Sequence, residues 1–424
     1  MNLASRKIGI LWAQYGPYHF ARFSAFQKLI HPAKLHAIEM ANRTSWYEWN
    51  RGPAAVQVTA LCPDGVAESL PFAKVFRQAR KTFSDLKLDA CFLPGYAPKE
   101  SLAALLAAKS LGIRTIMMNE SHAGTARSRG LKTLLKRSFV GMFDTALLGG
   151  QPQKRYYTSL GMRQDRIFLG YDAVDNDYFA IHAAQARANA VELRKQYRLP
   201  ERYFLSLGRF IQKKNLPALI SAFHRSIHPG HELQPHLVMV GSGEEEEALR
   251  ALCQKLQLPV YNKAPDKKDP VMDESRPGVH FYGFRQVEEN PVFYALAETF
   301  ILPSLYEEWG LVVNEAMASG LPVIVTETAG CAEDLLEPFP PGSPIPAHLE
   351  PILATVKNRT HIRRNGFVFD PQSVEELSDY LKLFAANPTL REVMGAASSE
   401  LVERCSCRNF AENASRAAEA AIAV

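Results

Sequence analysis

The stretch ETFILPSLYEEWGLVVNEAMASGLPVIVT, residues 298–326, decides how this chain folds. The apolar run TFIL reads as a short buried strand, and Pro303 stops it because proline cannot continue a strand ladder. A loop follows with Glu307 and Gly310, and then a helix is expected from about Leu311 to Ser319. Gly320 is placed to close that helix in a left-handed turn, and Pro322 leads into the next apolar run, VIVT. Strand, loop, helix and strand in this order make one unit of a parallel sheet covered by helices. The helix start falls at the carboxyl end of a strand, where backbone N–H groups and the positive end of the helix dipole meet any bound anion.

The same pattern extends outward in both directions. KIGILWA, DACFLPG, RTIMMNE and TALLGG in the first half, and YFLSLG, HLVMVG, VHFYG and PVIVT in the second, are apolar runs that end in glycine or polar residues. Helical stretches lie between them, such as SLAALLAAKSLG with Gly112 at a C-cap. The 424 residues exceed what one core usually serves. The expected fold is therefore α/β, with two doubly wound Rossmann-like domains facing across a cleft and binding ligands at the carboxyl ends of their strands. The boundary is expected between about Asp175 and Arg202. It is drawn as 1–195 plus a final helix over 408–424 for the first domain, and 196–407 for the second. Residues 261–277 and 337–364 read as surface insertions, the latter with a short basic helix and a lid as one use.

Charge separates the two halves. Residues 1–200 hold 28 Lys+Arg against 14 Asp+Glu, whereas residues 201–424 hold 21 against 30. No apolar run approaches the roughly 20 residues of a membrane-spanning helix. MNLASRKIGILWAQ reads as a first buried strand rather than a secretory signal. Six scattered cysteines suit a reduced, cytoplasmic protein.

Two clusters carry chemistry in the second half. Glu307 and Glu315 are eight residues apart, which in a helix separates them by roughly 12 Å. Hydrolytic carboxyl pairs stand about 5–9.5 Å apart across one bond, so a division of labour over one extended ligand is the better reading. In SLGRFIQKKN, residues 206–215, a strand ends at Gly208 and presents Arg209, Lys213 and Lys214. Such cations can stabilise the charge that develops on a departing diphosphate without a metal.

LGRFIQKKN, VMVGSGEEEEAL and the E-x7-E pattern in PSLYEEWGLVVNEAMASGLPVIV resemble the retaining GT-B glycosyltransferases of family four, the glycosyl transferases group 1. The resemblance is strong over residues 203–335, returns at NGFVFDP, and is thin over the first 170 residues. It implies that Arg209 and Lys214 hold the donor phosphates, Glu307 the sugar hydroxyls and Glu315 the ribose hydroxyls. Backbone at Gly310 and Leu311 would meet phosphate or sugar, and the Phe281–Phe284 strand end, with Gly283 and Phe284, would lie near the base. It also implies a front-face retaining transfer with no protein nucleophile, and a last helix that crosses back to the first domain. Trp309 stands where such enzymes commonly have Phe, and Asn215 where they often have Gly.

In the first half, His122 follows RTIMMNE at a strand's carboxyl end. In similar enzymes a histidine of this loop contacts the donor sugar, so the expected catalytic set is Glu307, His122, Arg209 and Lys214. Gly16 and His19, in the loop of AQYGPYHFAR, are candidates for donor phosphate or acceptor, and Glu120 and Ser121 for acceptor. RSRGLKTLLKRSF (127–139) has five cations and no acid, and KVFRQARK (74–81) places Lys74, Arg77 and Lys81 on one face. Both stretches suit an anionic membrane surface beside a lipid-linked acceptor, at the inner face of the membrane.

The expected activity is transfer of a sugar from a UDP or GDP donor to a glycan or lipid-linked acceptor, in cell-surface polysaccharide or glycoconjugate synthesis. No cofactor and no metal ligand are expected, the nucleotide sugar being a substrate. Asp175-Asn176-Asp177 spells D-x-D but resembles the family's linker. A sugar-nucleotide epimerase of the same fold would need an acid pair that is not evident. A nucleic-acid binder would need basic–aromatic interleaving, which the basic half lacks.

Overall fold

The computed structural model describes residues 3–45, 56–126, 131–227, 234–262, 272–340 and 345–423. They divide into two compact units, one running to Asp175 and resuming at Arg404, the other from Asn176 to Glu403.

The first unit begins β1 (Lys7–Trp12), α1 (Pro17–Ile30), β2 (Lys34–Glu39) and β3 (Val58–Ala60). It continues α2 (Phe72–Leu86), β4 (Ala90–Leu93), α3 (Lys99–Ser110) and β5 (Arg114–Asn119). Then come α4 (Leu131–Val140), β6 (Thr145–Leu148), α5 (Gln151–Ser159) and β7 (Ile167–Leu169). The strands form one parallel sheet in the order β3-β2-β1-β4-β5-β6-β7. Its central strands are buried on both faces, and accordingly β4 is apolar throughout and β6 apolar but for Thr145.

In the second unit, α6 (Asn176–Ala188) and α7 (Ala190–Tyr197) precede β8 (Tyr203–Leu207), α8 (Leu216–Ser226), β9 (His236–Val240) and α9 (Glu246–Lys255). β10 (Val260–Asn262), β11 (Val279–Phe281), α10 (Asn290–Ala295), β12 (Thr299–Leu302) and α11 (Leu311–Ala318) follow. The unit ends with β13 (Val323–Thr326), α12 (Ala332–Leu335), α13 (Glu350–Leu353), β14 (Ile362–Arg363), β15 (Gly366–Phe369), α14 (Val374–Ala386) and α15 (Pro388–Val402). The sheet order is β10-β11-β9-β8-β12-β13-β15-β14, parallel except for β14 against β15. Thus β8 and β12 are neighbours, although about 90 residues of chain separate them.

The expected division at 195/196 moves to Asp175/Asn176 because α6 packs on α10 and α11. The second expected insertion is also corrected. Leu349, Leu353, Val356 and Ile362 are buried in the second unit's core, so the described part of 337–364 is packed structure and not a free lid. Its basic end is one short 3-10 helix, Arg359–His361, followed by the edge strand β14. Residues 263–271 and 341–344 of the two insertions lie outside the described residues.

The last helix, α16 (Cys407–Ile422), belongs to the first unit. Phe410, Ala411, Ala414, Ala417, Ala418 and Ala421 form one apolar stripe on it, packed with α1, β5, β6 and β7. Alanines let its backbone come close to the sheet. Thr145 Oγ1 donates to the Ala417 carbonyl at 3.0 Å, and Arg166 donates to the Ala420 carbonyl at 2.6 Å. Phe410 is the large side chain of the stripe and is fully buried. Phe410→Ala is expected to cost roughly 3–5 kcal/mol, read by urea unfolding. A change below about 1 kcal/mol would contradict this packing account.

Candidate active site

In the second unit, the carboxyl ends of β8, β9 and β11 are stitched together through glycines. Gly241 has φ +141°, and a Cβ there would lie 1.9 Å from the Gly208 carbonyl oxygen. Only glycine allows this approach. Gly208 N–H donates to the Val240 carbonyl at 2.9 Å, and Phe210 N–H to the Ser242 carbonyl at 2.8 Å. This fixes Arg209 immediately past the strand end.

A 3-10 turn, Gln212–Lys214, then carries both lysines. Asn215 follows at φ +53°, in the left-handed region that glycine and asparagine enter at low cost. Its amide nitrogen donates to the carbonyls of Pro303 and Pro371 at 3.1 and 2.9 Å. Asparagine therefore does two things here: it accepts the turn and fastens it to the end of β12. Leu305 N–H closes the junction by donating to the Lys213 carbonyl at 2.8 Å.

Glu307 sits in that junction, 6% exposed. Lys214 Nζ donates to its Oε2 and Lys213 Nζ to its Oε1, the latter at 2.7 Å. Ser304 Oγ donates to Oε2 at 3.3 Å. Burial alone would raise the carboxyl's pKa; the ammonium groups of Lys214 and then Lys213 outweigh it and bring it down to about 2. Lys213 also donates to Glu308 Oε2 at 2.7 Å. Burial weakens the charge on Lys213, while Glu307 and Glu308 together more than restore it.

Gly310 ends the loop at φ +109° and caps α11, whose first residue is Leu311. A Cβ on Gly310 would approach Leu302 to 3.0 Å. Behind it, buried Trp309 donates through Nε1 to Asn314 Oδ1 at 2.9 Å, so the larger aromatic is accommodated by a hydrogen bond as well as packing. Glu315 lies further along α11, 1% exposed, with Oε2 accepting from Tyr294 Oη at 3.1 Å and Asn290 Nδ2 at 3.4 Å. The two carboxylates thus differ in kind: Glu307 faces cations, Glu315 neutral donors. Gly283, at φ +68°, has nothing within 4 Å of a Cβ, and the Phe284 ring beside it is 43% exposed.

Farther along the sheet, past β13 and β15, a cavity of about 900 Å³ opens. Its Lys357 pairs with Glu375 and its His361 with Glu376, and none of the expected site residues lines it.

Residues 201–339 match the family model of the glycosyl transferases group 1. Mannosylfructose-phosphate synthase of Agrobacterium fabrum is 28% identical over 173 residues, 40% of this chain and 34% of that protein. A GDP-mannose-dependent alpha-(1-6)-phosphatidylinositol monomannoside mannosyltransferase of Mycobacterium tuberculosis is 25% identical over 380 residues, 86% of this chain and 81% of that protein. The chain spans about a third of the length of the first curated relatives it matches. Among solved structures, a Rickettsia africae glycosyltransferase superposes with a TM-score of 0.68 at 13% identity, covering 98% of each chain. Anabaena HepE in complex with UDP-glucose gives 0.66 at 15% identity, covering 99% of this chain and 100% of the other. These likenesses establish the fold as GT-B, two Rossmann-like α/β units in one chain.

The second unit thus brings Lys214 and Glu307 into contact and sets Arg209 and Gly310 on neighbouring strand ends. The first unit holds a separate polar cluster. Gly16 and His19 are not in a free loop, as the sequence suggested. Gly16 caps α1, Pro17 is its first residue, and His19 Nδ1 accepts the Gly16 N–H at 3.0 Å. Burial, then the nearby Arg22, pushes the His19 imidazole well below its ordinary pKa. Arg22 is buried and donates to the Tyr171 carbonyl at 3.0 Å.

Glu120, half-buried at the end of β5, is the charge that acts on the fully buried carboxyl of Asp172 beyond β7. Burial, followed by the charge of Glu120, holds Asp172 well above the usual carboxylate range. Ser121 N–H donates to Asn119 Oδ1 at 2.8 Å. His122 is buried in the same loop, its Nδ1 accepting the Gly124 N–H at 3.2 Å.

Sequence reasoning left Asn290, Tyr294, Arg22 and Asp172 out of the site, and grouped Lys213 with Arg209 and Lys214 as a cation for the departing diphosphate. Asp172 alone carried a signal, as a carboxyl in the apolar run after β7.

The Glu307 ion triad has a measurable pH signature. Its folded pKa lies below the ordinary 4.5, so its contribution is complete above that value and is lost as pH falls towards 2. Wild type is expected to exceed Glu307→Gln in stability by on the order of 2–3 kcal/mol near neutral pH. That difference should shrink as pH is lowered from about 5 to about 3. Chemical unfolding at several pH values checks this, and a pH-independent difference would contradict the triad.

Proposed function

We propose that the chain is a retaining, metal-independent hexosyltransferase that takes a sugar from a UDP or GDP donor and passes it to a glycan or lipid-linked acceptor. The observation that carries this reading is the meeting of cations after β8 with Glu307 after β12, beside the open start of α11. A donor's diphosphate finds Arg209, Lys214 and the N–H groups beyond Gly310 there, and charge that develops on the leaving phosphate is met by groups already in place. Glu307 is the carboxylate for the sugar hydroxyls, and Glu315, served by neutral donors, the one for the ribose. Gly283 and Phe284 leave an open edge for the base. His122 and the Gly16–His19 and Glu120–Ser121 groups are assigned to the sugar and acceptor side.

The named substrates of similar proteins support a nucleotide-sugar donor. The mycobacterial relative is GDP-mannose-dependent, an O-antigen chain mannosyltransferase B of Escherichia coli is 26% identical over 171 residues, and HepE is seen with UDP-glucose. Hydrolysis between paired carboxylates does not fit a site whose second carboxylate is engaged by Tyr294 and Asn290, which supports transfer instead. Arg209→Ala should weaken UDP and GDP binding by roughly tenfold or more, measured by calorimetry with chelator present. Wild-type affinity in that variant would contradict the phosphate assignment.

An anionic membrane surface is the proposed setting for the acceptor. No helix among the described residues is long and apolar enough to cross a membrane. On α4, Leu134 and Leu135 are 62% and 57% exposed, beside Lys132, Lys136 and Arg137. On α2, Val75, Ala79 and Phe83 are buried while Lys74, Arg77 and Lys81 are exposed. Residues 127–130 of the basic stretch lie outside the described residues. Neutralising Lys132, Lys136 and Arg137 together should reduce co-sedimentation with phosphatidylserine-containing vesicles about tenfold or more, at roughly 1 kcal/mol per cation. Unchanged sedimentation would end the membrane proposal.

A further inference from the structure

The two lysines of the 3-10 turn are adjacent in sequence but differently held. Lys214 Nζ has Glu307 as its ion-pair partner. Lys213 Nζ is bound on two sides, to Glu307 Oε1 and Glu308 Oε2, each at 2.7 Å, and lies 5.7 Å from the Tyr306 ring centre. Its carbonyl is tied to Leu305 N–H as well.

A diphosphate that draws on Lys214 competes with Glu307 for that ammonium. Glu307 is almost fully buried, and a buried carboxylate that loses its counter-ion either takes up a proton or moves. Neither outcome leaves an acceptor group aimed at a sugar hydroxyl. Lys213 cannot make the same exchange without also stripping Glu308.

We propose that Lys213 is a positioning residue: it keeps Glu307 in place and ionised when the donor's diphosphate draws Lys214 away. This rests on the donor reading given above. The lysine pair is then a division between a phosphate ligand and a counter-ion that stays behind. Lys213, Lys214, Glu308 and Ser304 are the charged and polar groups facing Glu307 and its partners in this junction.

The test is a double-mutant cycle on affinity, with UDP, GDP, UDP-glucose and GDP-mannose as probes in calorimetry. The quantity read is the ratio of affinities with and without the sugar, for the nucleotide that wild type binds. Lys213→Met is expected to change that ratio roughly five- to tenfold. Lys213→Arg should retain it. In the Glu307→Gln background, Lys213→Met should change it no further, with thermal unfolding confirming that each variant is folded. An unchanged ratio in Lys213→Met, or the same change in both backgrounds, overturns the proposal and leaves the donor reading standing. If wild type binds neither UDP nor GDP, or if Glu307→Gln keeps the wild-type ratio, the donor reading falls and this inference with it.

Discussion

A carboxylate that is nearly buried must be neutralised where it stands, and the second unit is built around that requirement at Glu307. The residue follows β12 and its counter-ions follow β8, two strands that are neighbours in the sheet though far apart in the chain. Parallel pairing brings both carboxyl ends to the same edge, so the two loops meet without any special device. What needs arranging is the last few ångströms. Asn215 in the left-handed region, its amide on Pro303 and Pro371, and the Leu305–Lys213 backbone bond supply that. Removing any of these fasteners would leave charge buried without its partner, a larger penalty than the hydrogen bond itself is worth.

The same logic separates what was legible in the sequence from what was not. Long apolar runs buried on both faces, such as those of β1, β5, β8, β9 and β12, announce themselves by composition. β2, β3, β7 and β10 do not. KLHAIE mixes a cation and a histidine with its apolar residues, and the other three are three-residue strands near the sheet edges, where one face or one ladder is open. The 337–364 segment misled because proline and charge dominate its sequence. Its buried Leu349, Leu353 and Val356 keep an i, i+4, i+7 spacing, but the helix they serve, α13, is one turn long and too brief to stand out. The reading of Gly16–Arg22 as a loop failed for a related reason. The cap that starts α1 is made by a histidine at the third helical position, and histidine carries little weight as a helix-start signal beside Ser, Thr or Asp.

Of the candidate site, the residues read from one local motif sit on one strand–loop–helix unit, which fixes them relative to its own helix. Glu307, Gly310 and Glu315 are of this type. Residues whose importance lies in a partner distant in sequence were not accessible. Asp172 gains its meaning from Glu120 and Arg22, which stand beyond β5 and on α1, and Lys213 gains its meaning from Glu307 and Glu308. Charge in sequence names a candidate; only pairing across the sheet says whether it is solvated, spent on structure, or held for a ligand.

Glu307 and Glu315 carry that point furthest. A carboxylate clamped by two ammonium groups keeps its charge at any physiological pH, and a ligand that displaces one cation meets an acceptor of full strength. A carboxylate that accepts from a tyrosine hydroxyl and an asparagine amide is held by neutral donors instead. The first environment suits a ligand that brings its own negative charge and exchanges partners as it binds. The second suits a diol that only adds hydrogen bonds. The helix α11 that joins them starts at Gly310 without a side-chain cap, so one short element sets three different polar environments side by side.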